Sequence, residues 1–278
     1  MKTRSWHRPF FALLVIVSLL AGVLTQTSLR TDVRTVLVRN TIGFAPEVFY
    51  SQLDGTLLEN YGRTLAVAHN AGDRIGATRE ALQFGADIVE IDVVAVGGSL
   101  YAAHDIPNQY FGSVTFHGPS LDSIWKEAVA TGIVKFDLKE STPSYINLII
   151  SFVKRHPGDY QLVLASRSTA ALQRLRVALP HAILLYSVAT EDFLVSLKSN
   201  VELVKIIDGV TIRYTLIDQP AMTWFKQQKL LVFAWAVNDL ADVNALVKLG
   251  VTAVTTDNLA IMEILGEAEH VITPRTRG

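Results

Sequence analysis

Residues 67–105 read VAHNAGDRIGATREALQFGADIVEIDVVAVGGSLYAAHD. Within this stretch, DIVEIDVVAV at 87–96 is rich in β-branched residues and reads as a buried strand. Side chains two apart on a strand share a face, so Glu90 and Asp92 project together. Two like charges on one interior face repel and resist desolvation unless a cation or a proton joins them. A hard divalent ion, Mg²⁺ or Ca²⁺, suits such oxygen ligands. The plain alternative leaves both carboxylates in water at a strand end, paired with surface lysines. Against it stand His69 and His104, each closing an apolar segment on either side of the pair.

Outward from this stretch, strand-like and helix-like segments alternate. LAVAH at 65–69 is a first strand, and Asp73 is a plausible N-cap for the helix holding TREALQF. Gly97-Gly98 ends the second strand and turns the chain into SLYAAH at 99–104. A helix at 120–130 follows, with Ser120 or Asp122 near its cap. The next strands are IVKFDLK at 133–139, QLVLAS at 161–166, AILLYSV at 182–188, DGVTIRY at 208–214, LLVFAWAV at 230–237 and VTAVTTD at 251–257. Helices are expected at 143–155, 168–178, 190–198 and about 218–228. Another starts at Asp239 and ends at Gly250, and NLAIMEILGEA closes the series. Eight strand-then-helix units are what a closed (β/α)₈ TIM barrel requires, in an α/β chain. A doubly wound sheet is the rival, but the Gly-rich dinucleotide fingerprint is missing. Chemistry in a barrel gathers at the C-terminal strand ends. His69, Glu90, Asp92, Asp137, Lys139, Trp235 and Asp257 all fall at or near such ends.

Composition narrows the function further. The chain has 278 residues, half of them hydrophobic, a net charge of −1 and no cysteine. With no basic block there is no nucleic-acid surface to expect, and disulfides, thiolate metal sites and a lipobox are excluded. Lys2, Arg4 and Arg8 precede an uncharged run from Pro9 to Leu29, whose apolar heart is Phe10 to Leu24. Such a segment reads as a signal anchor or signal peptide over 1–29. No clean small-x-small cleavage site follows, which favours the anchor, with the N-terminus in the cytoplasm and the domain outside. If the segment is cleaved, the protein is secreted. Residues 30–64 read as a linker or stalk, 65–268 as the barrel and 269–278 as a tail.

LAVAH at 65–69, GADIVEIDV at 85–93 and LYAAHD at 100–105 resemble the glycerophosphodiester phosphodiesterase family, within the phosphatidylinositol-phospholipase-C-like phosphodiesterases. The similarity extends over roughly 65–265, through FDLK at 136–139, FAWAVN at 233–238 and VTTD at 254–257. It implies metal-dependent hydrolysis of a glycerophosphodiester to an alcohol and glycerol 3-phosphate. It further implies that His69 and His104 serve as acid and base, a task suited to imidazole near neutral pH. Glu90, Asp92 and Asp137 would hold one divalent cation, and Lys139 would neutralise phosphate oxygen. Trp235 would wall the alcohol or attract a choline cation, and Asp257 would be architectural. A small-molecule or lipid-derived diester is the expected partner, with the membrane reached through the N-terminal segment.

The sequence also departs from the family pattern. The family's His-Arg-Gly is His69-Asn70-Ala71 here, the following loop is shorter, and aspartate replaces glutamate at 137. Asn70 therefore occupies the place of a phosphate-binding arginine, and Arg167 or Arg213 stands where a substitute cation is expected. Two alternatives stay open: phospholipase D-like cleavage of lysophospholipid or sphingolipid diesters, and a degenerate barrel that binds a ligand without turnover.

Overall fold

The computed structural model describes residues 63–104 and 118–267. The expected N-terminal segment at 1–29 and the C-terminal tail lie outside them, as does all but the end of the linker. Among the described residues no helix is long and apolar enough to cross a membrane.

Strand β1 (Leu65–Ala68) pairs in parallel with both β2 (Ile88–Val96) and β9 (Ala253–Thr256), and this double pairing closes the sheet on itself. The ring is completed by β4 (Ile133–Leu138), β5 (Gln161–Ser166), β6 (Ile183–Val188), β7 (Gly209–Arg213) and β8 (Leu231–Trp235), in chain order and all parallel. That is the eight-stranded TIM barrel the alternation predicts. A ninth strand, β3 (Ser99–Ala102), lies outside the ring, antiparallel along the far end of β2. Gly97 and Gly98, with φ of 58° and 80°, make the two-residue turn between them. A turn with both central residues in the left-handed region is one glycine forms without strain.

The helices pack outside, as α1 (Ile75–Gln83), α2 (Leu121–Ala128), α3 (Pro143–Arg155), α4 (Thr169–Ala178), α5 (Glu191–Ser199), α6 (Val201–Ile206), α7 (Gln219–Gln227), α8 (Leu240–Leu249) and α9 (Leu259–Glu267). Ser120 caps α2, and Asp239 caps α8, which Gly250 ends in the left-handed conformation. Short α6 was not expected; Asn200 starts it by accepting a hydrogen bond from the Leu203 backbone N. The expected cap of α1 is corrected. Arg74 occupies that position without a side-chain bond, because the Asp73 carboxylate is spent elsewhere, on the Asp92 backbone N at 3.0 Å.

Two apolar clusters divide the strands by parity. One joins strands to helices; the other, including Leu65, Val67, Ile88, Ile133, Val163, Leu185 and Phe233, contains strand residues alone and fills the barrel. Following the inward face of β2 and β4 upward, Ile88 and Ile133 give way to Glu90 and Lys135, then to Asp92 and Asp137. The same period of two that buries the lower interior therefore delivers charge to the mouth. At the opposite end, Arg63 forks onto Asp87 at 2.8 and 2.7 Å, and Asp87 also accepts from the Ala66 backbone N at 2.9 Å. Asp208, half-buried, ties Arg176 and the Leu184 backbone N together through one oxygen, Oδ2.

Candidate active site

The C-terminal strand ends open into a cavity of about 610 Å³. His69, Asn70, Glu90, Asp92, His104, Asp137, Lys139, Arg167 and Trp235 all line it. Of the residues expected at this end of the barrel, Arg213 and Asp257 are not part of that lining.

Strand register assembles the acids. Parallel pairing sets Glu90 beside Lys135 and Asp92 beside Asp137. One oxygen from each of Glu90, Asp92 and Asp137 lies within 4.8 Å of the others. Lys139 Nζ bridges Asp137 Oδ2 at 2.6 Å and Asp92 Oδ1 at 3.0 Å. Glu90 Oε2 and Asp92 Oδ2 are buried with no hydrogen-bond partner. A buried polar atom without a partner is costly, and a hard cation with oxygen ligands removes that cost here. The residues thus fit a divalent ion.

Electrostatics agree with the geometry. Burial pushes the Asp92 carboxyl up to about 7, against the pull of Lys139 and with the repulsion of Glu90, Asp73 and Asp137. Burial likewise raises Asp73 to about 6. Burial alone would lower the Lys139 ammonium, but Asp137 and Asp92 outweigh it and its pKa is raised. Asp73 reaches Asp92 because the turn Ala71–Asp73 presses against β2. At Gly72 a Cβ would sit 2.2 Å from Ile91 Cγ1 and 2.7 Å from the Glu90 carbonyl oxygen, so no larger residue fits.

His69 sits just past β1, its backbone N donating to the Thr256 carbonyl at 3.0 Å. Its Nδ1 lies 2.8 Å from Asp257 Oδ1. Asn238 fixes Asp257 in turn, donating from Nδ2 to Oδ2 at 2.9 Å while its Oδ1 accepts from the Asp257 backbone N at 2.8 Å. With a carboxylate facing Nδ1, that nitrogen carries the proton and Nε2 is left for the cavity. Asp257, expected to be architectural, thus holds the His69 ring, and Asn238 holds Asp257. His104 follows β3 and is exposed on the cavity wall.

Arg167 lines the cavity, whereas the Arg213 guanidinium lies 5.8 Å from the centroid of the Trp235 ring. One face of the tryptophan expected to meet a choline is therefore already met by a cation. Sequence reasoning also missed Lys135. Its signal was present, because counting back by two from Lys139 and Asp137 lands on it.

A sequence profile described as the Glycerophosphoryl diester phosphodiesterase family matches residues 111–261, more than half of the chain. Asp137, Lys139, Trp235 and Asp257 lie inside the match, while His69, Glu90, Asp92 and His104 precede it. Solved structures share the fold at low identity. A phosphodiesterase from Oleispira antarctica, in complex with the product sn-glycerol-3-phosphate, is 20% identical with a TM-score of 0.62, over 73% of this chain and 96% of that one. A glycerophosphodiester phosphodiesterase from Thermotoga maritima is 16% identical with a TM-score of 0.58, over 73% and 98%. Another from Parabacteroides distasonis is 20% identical with a TM-score of 0.59, over 74% and 97%. No curated protein sequence matches the chain.

Proposed function

Since the chain belongs to the glycerophosphoryl diester phosphodiesterase family, and is a phosphodiesterase as such, we propose that it hydrolyses a glycerophosphodiester to an alcohol and glycerol 3-phosphate. One observation carries the reading. His69, with Nδ1 committed to Asp257, shares a cavity with an acid cluster that retains unpartnered buried oxygens.

Glu90, Asp92 and Asp137 would hold the divalent cation, which when bound supplies positive charge to a phosphate oxygen. Lys139 adds a second positive charge where negative charge builds in the transition state. His69 and His104 move protons, one from the attacking hydroxyl or water and the other to the departing alkoxide. Asp257 and Asn238 keep the His69 ring in one tautomer and one orientation. Arg167 supplies the phosphate contact that Asn70, in the arginine's place, does not. The wall at Trp235 receives the leaving alcohol. Anchoring through residues 1–29, with the domain outside the cytoplasm, belongs to the same proposal and rests on the basic-then-apolar N-terminal pattern.

The test is release of glycerol 3-phosphate by the full-length protein from glycerophosphocholine, glycerophosphoethanolamine and glycerophosphoglycerol, and of choline from lysophosphatidylcholine (leaving lysophosphatidic acid), with and without chelator. Activity should vanish in chelator and return with Mg²⁺ or Ca²⁺. Full turnover in chelator would remove the cation's role, and turnover of lysophosphatidylcholine alone would move the substrate class to lipids.

A further inference from the structure

Lys135 is 1% exposed, halfway along an interior strand and directly above the apolar filling of the barrel. Its Nζ lies 2.5 Å from Glu90 Oε1 and 3.5 Å from Thr211 Oγ1. Placing an ammonium there costs several kcal/mol unless a partner compensates it. No step of the proposed chemistry uses it. Nor does it resemble the buried Arg63–Asp87 pair at the other end of the barrel. Arg63 occupies both oxygens of Asp87, whereas Lys135 takes one oxygen of Glu90 and leaves Oε2 without a partner.

Charge explains this half-made pair. Glu90, Asp92 and Asp137 are three potential negative charges, set against two positive ones on Lys135 and Lys139. These five groups stand one charge below neutral without a divalent ion and one above it with the ion bound, and Asp73 beside Asp92 adds negative charge to both forms. Without Lys135 the same cluster would be two below neutral and then neutral. The stripped form would then carry the larger uncompensated charge around the buried Glu90 and Asp92.

We propose that Lys135 is a built-in counter-ion of the metal cradle, holding one oxygen of Glu90, leaving the other for the cation, and letting the barrel fold before the cation arrives. This rests on the reading that Glu90, Asp92 and Asp137 take a cation. Lys135 is accordingly a positioning residue rather than a catalytic one. It uncouples folding from metal binding, which in many metal sites are a single event.

The experiment measures thermal unfolding midpoints of the full-length protein, Lys135→Met and Lys135→Met/Glu90→Gln, each in EDTA and across a titration of Mg²⁺ and of Ca²⁺. The parent should melt within a few degrees of its metal-loaded midpoint when stripped. Lys135→Met should melt far lower in EDTA and gain more than the parent from the cation. The double variant, whose amide carries no charge, should regain the parent's midpoint in EDTA. If Lys135→Met does not fold in EDTA, folding restored by the cation or by Glu90→Gln supports the counter-ion role. An equal loss with and without cation, unrelieved by Glu90→Gln, would mean that Lys135 only fills space, and the proposal would fall. A parent with neither a metal-induced shift nor calorimetric metal binding would instead sink the cation reading. The comparison of single and double variants in EDTA would still decide the counter-ion.

Discussion

Both ends of this barrel carry buried carboxylates paired with cations, yet the pairs are built to opposite specifications. At the N-terminal end of the strands, Asp87 receives Arg63 on both oxygens and a backbone N–H besides. At the C-terminal end, Glu90 and Asp92 each give one oxygen to a lysine and leave the other bare. Guanidinium forks saturate a carboxylate; ammonium points do not. Saturated pairs resist change of any kind, whereas half-saturated pairs keep capacity for a ligand. Among the buried acids Asp87, Glu90 and Asp92, burial and ion pairing alone do not separate scaffold from site, but the state of the second oxygen does.

Variants at the two ends put that contrast at risk. His69→Ala should lower kcat by about 10²–10⁴-fold, the usual worth of a positioned acid or base, and barely move the melting midpoint. Asp87→Ala should do the reverse, costing about 3–5 kcal/mol of stability as a broken buried pair while each folded molecule keeps its kcat. Steady-state kinetics beside denaturant titration would separate them, and an exchange of the two patterns would overturn the distinction. Asp257→Asn should reduce kcat by about 10–100-fold, the range for a residue orienting another.

A smaller effect concerns pH in chelator. Burial holds Asp92 up at about 7 and Asp73 at about 6, against 3.8 for a free carboxyl. Between about pH 4 and 7 the folded protein keeps protons that the unfolded chain has released, so stability falls as pH rises through that window and then levels off. Asp92→Asn should flatten most of that slope in melts across buffers; an unchanged slope would place it elsewhere. The smallest change is expected for Arg213→Ala. Freeing the Trp235 face of a contact worth about 0.5–1 kcal/mol should lower KM for glycerophosphocholine a few-fold and leave glycerophosphoglycerol alone.

Much of this is legible in the sequence, because barrel strands obey a local rule. A period of two put Glu90, Asp92, Asp137 and Lys139 on inner faces, and turn chemistry at Gly97-Gly98 set the hairpin apart from the ring. What escaped depended on register between distant strands. Pairing of Ala68 with Thr256 is what sets His69 beside Asp257, across 188 positions of chain. Asp73 looked like a helix cap because a carboxylate before an apolar helix is usually one. Its true partner is a backbone N–H that only becomes its neighbour when the turn at Gly72 folds down. Lys135 differs: the period of two that turns Asp137 inward turns it inward as well, and it is missed only because a lysine in a strand is usually solvent-facing.

The peptide unit at Asp92 gathers these threads. Its N–H is taken by Asp73, its carbonyl receives the Ala103 N–H at 2.9 Å immediately before His104, and its side chain meets Lys139. The loop after the first strand, the hairpin bearing the second imidazole and the lysine all take their bearings from this single residue. Because the first two bonds are made by its backbone, exchanging the side chain at 92 frees the lysine while the loop and the hairpin keep their moorings.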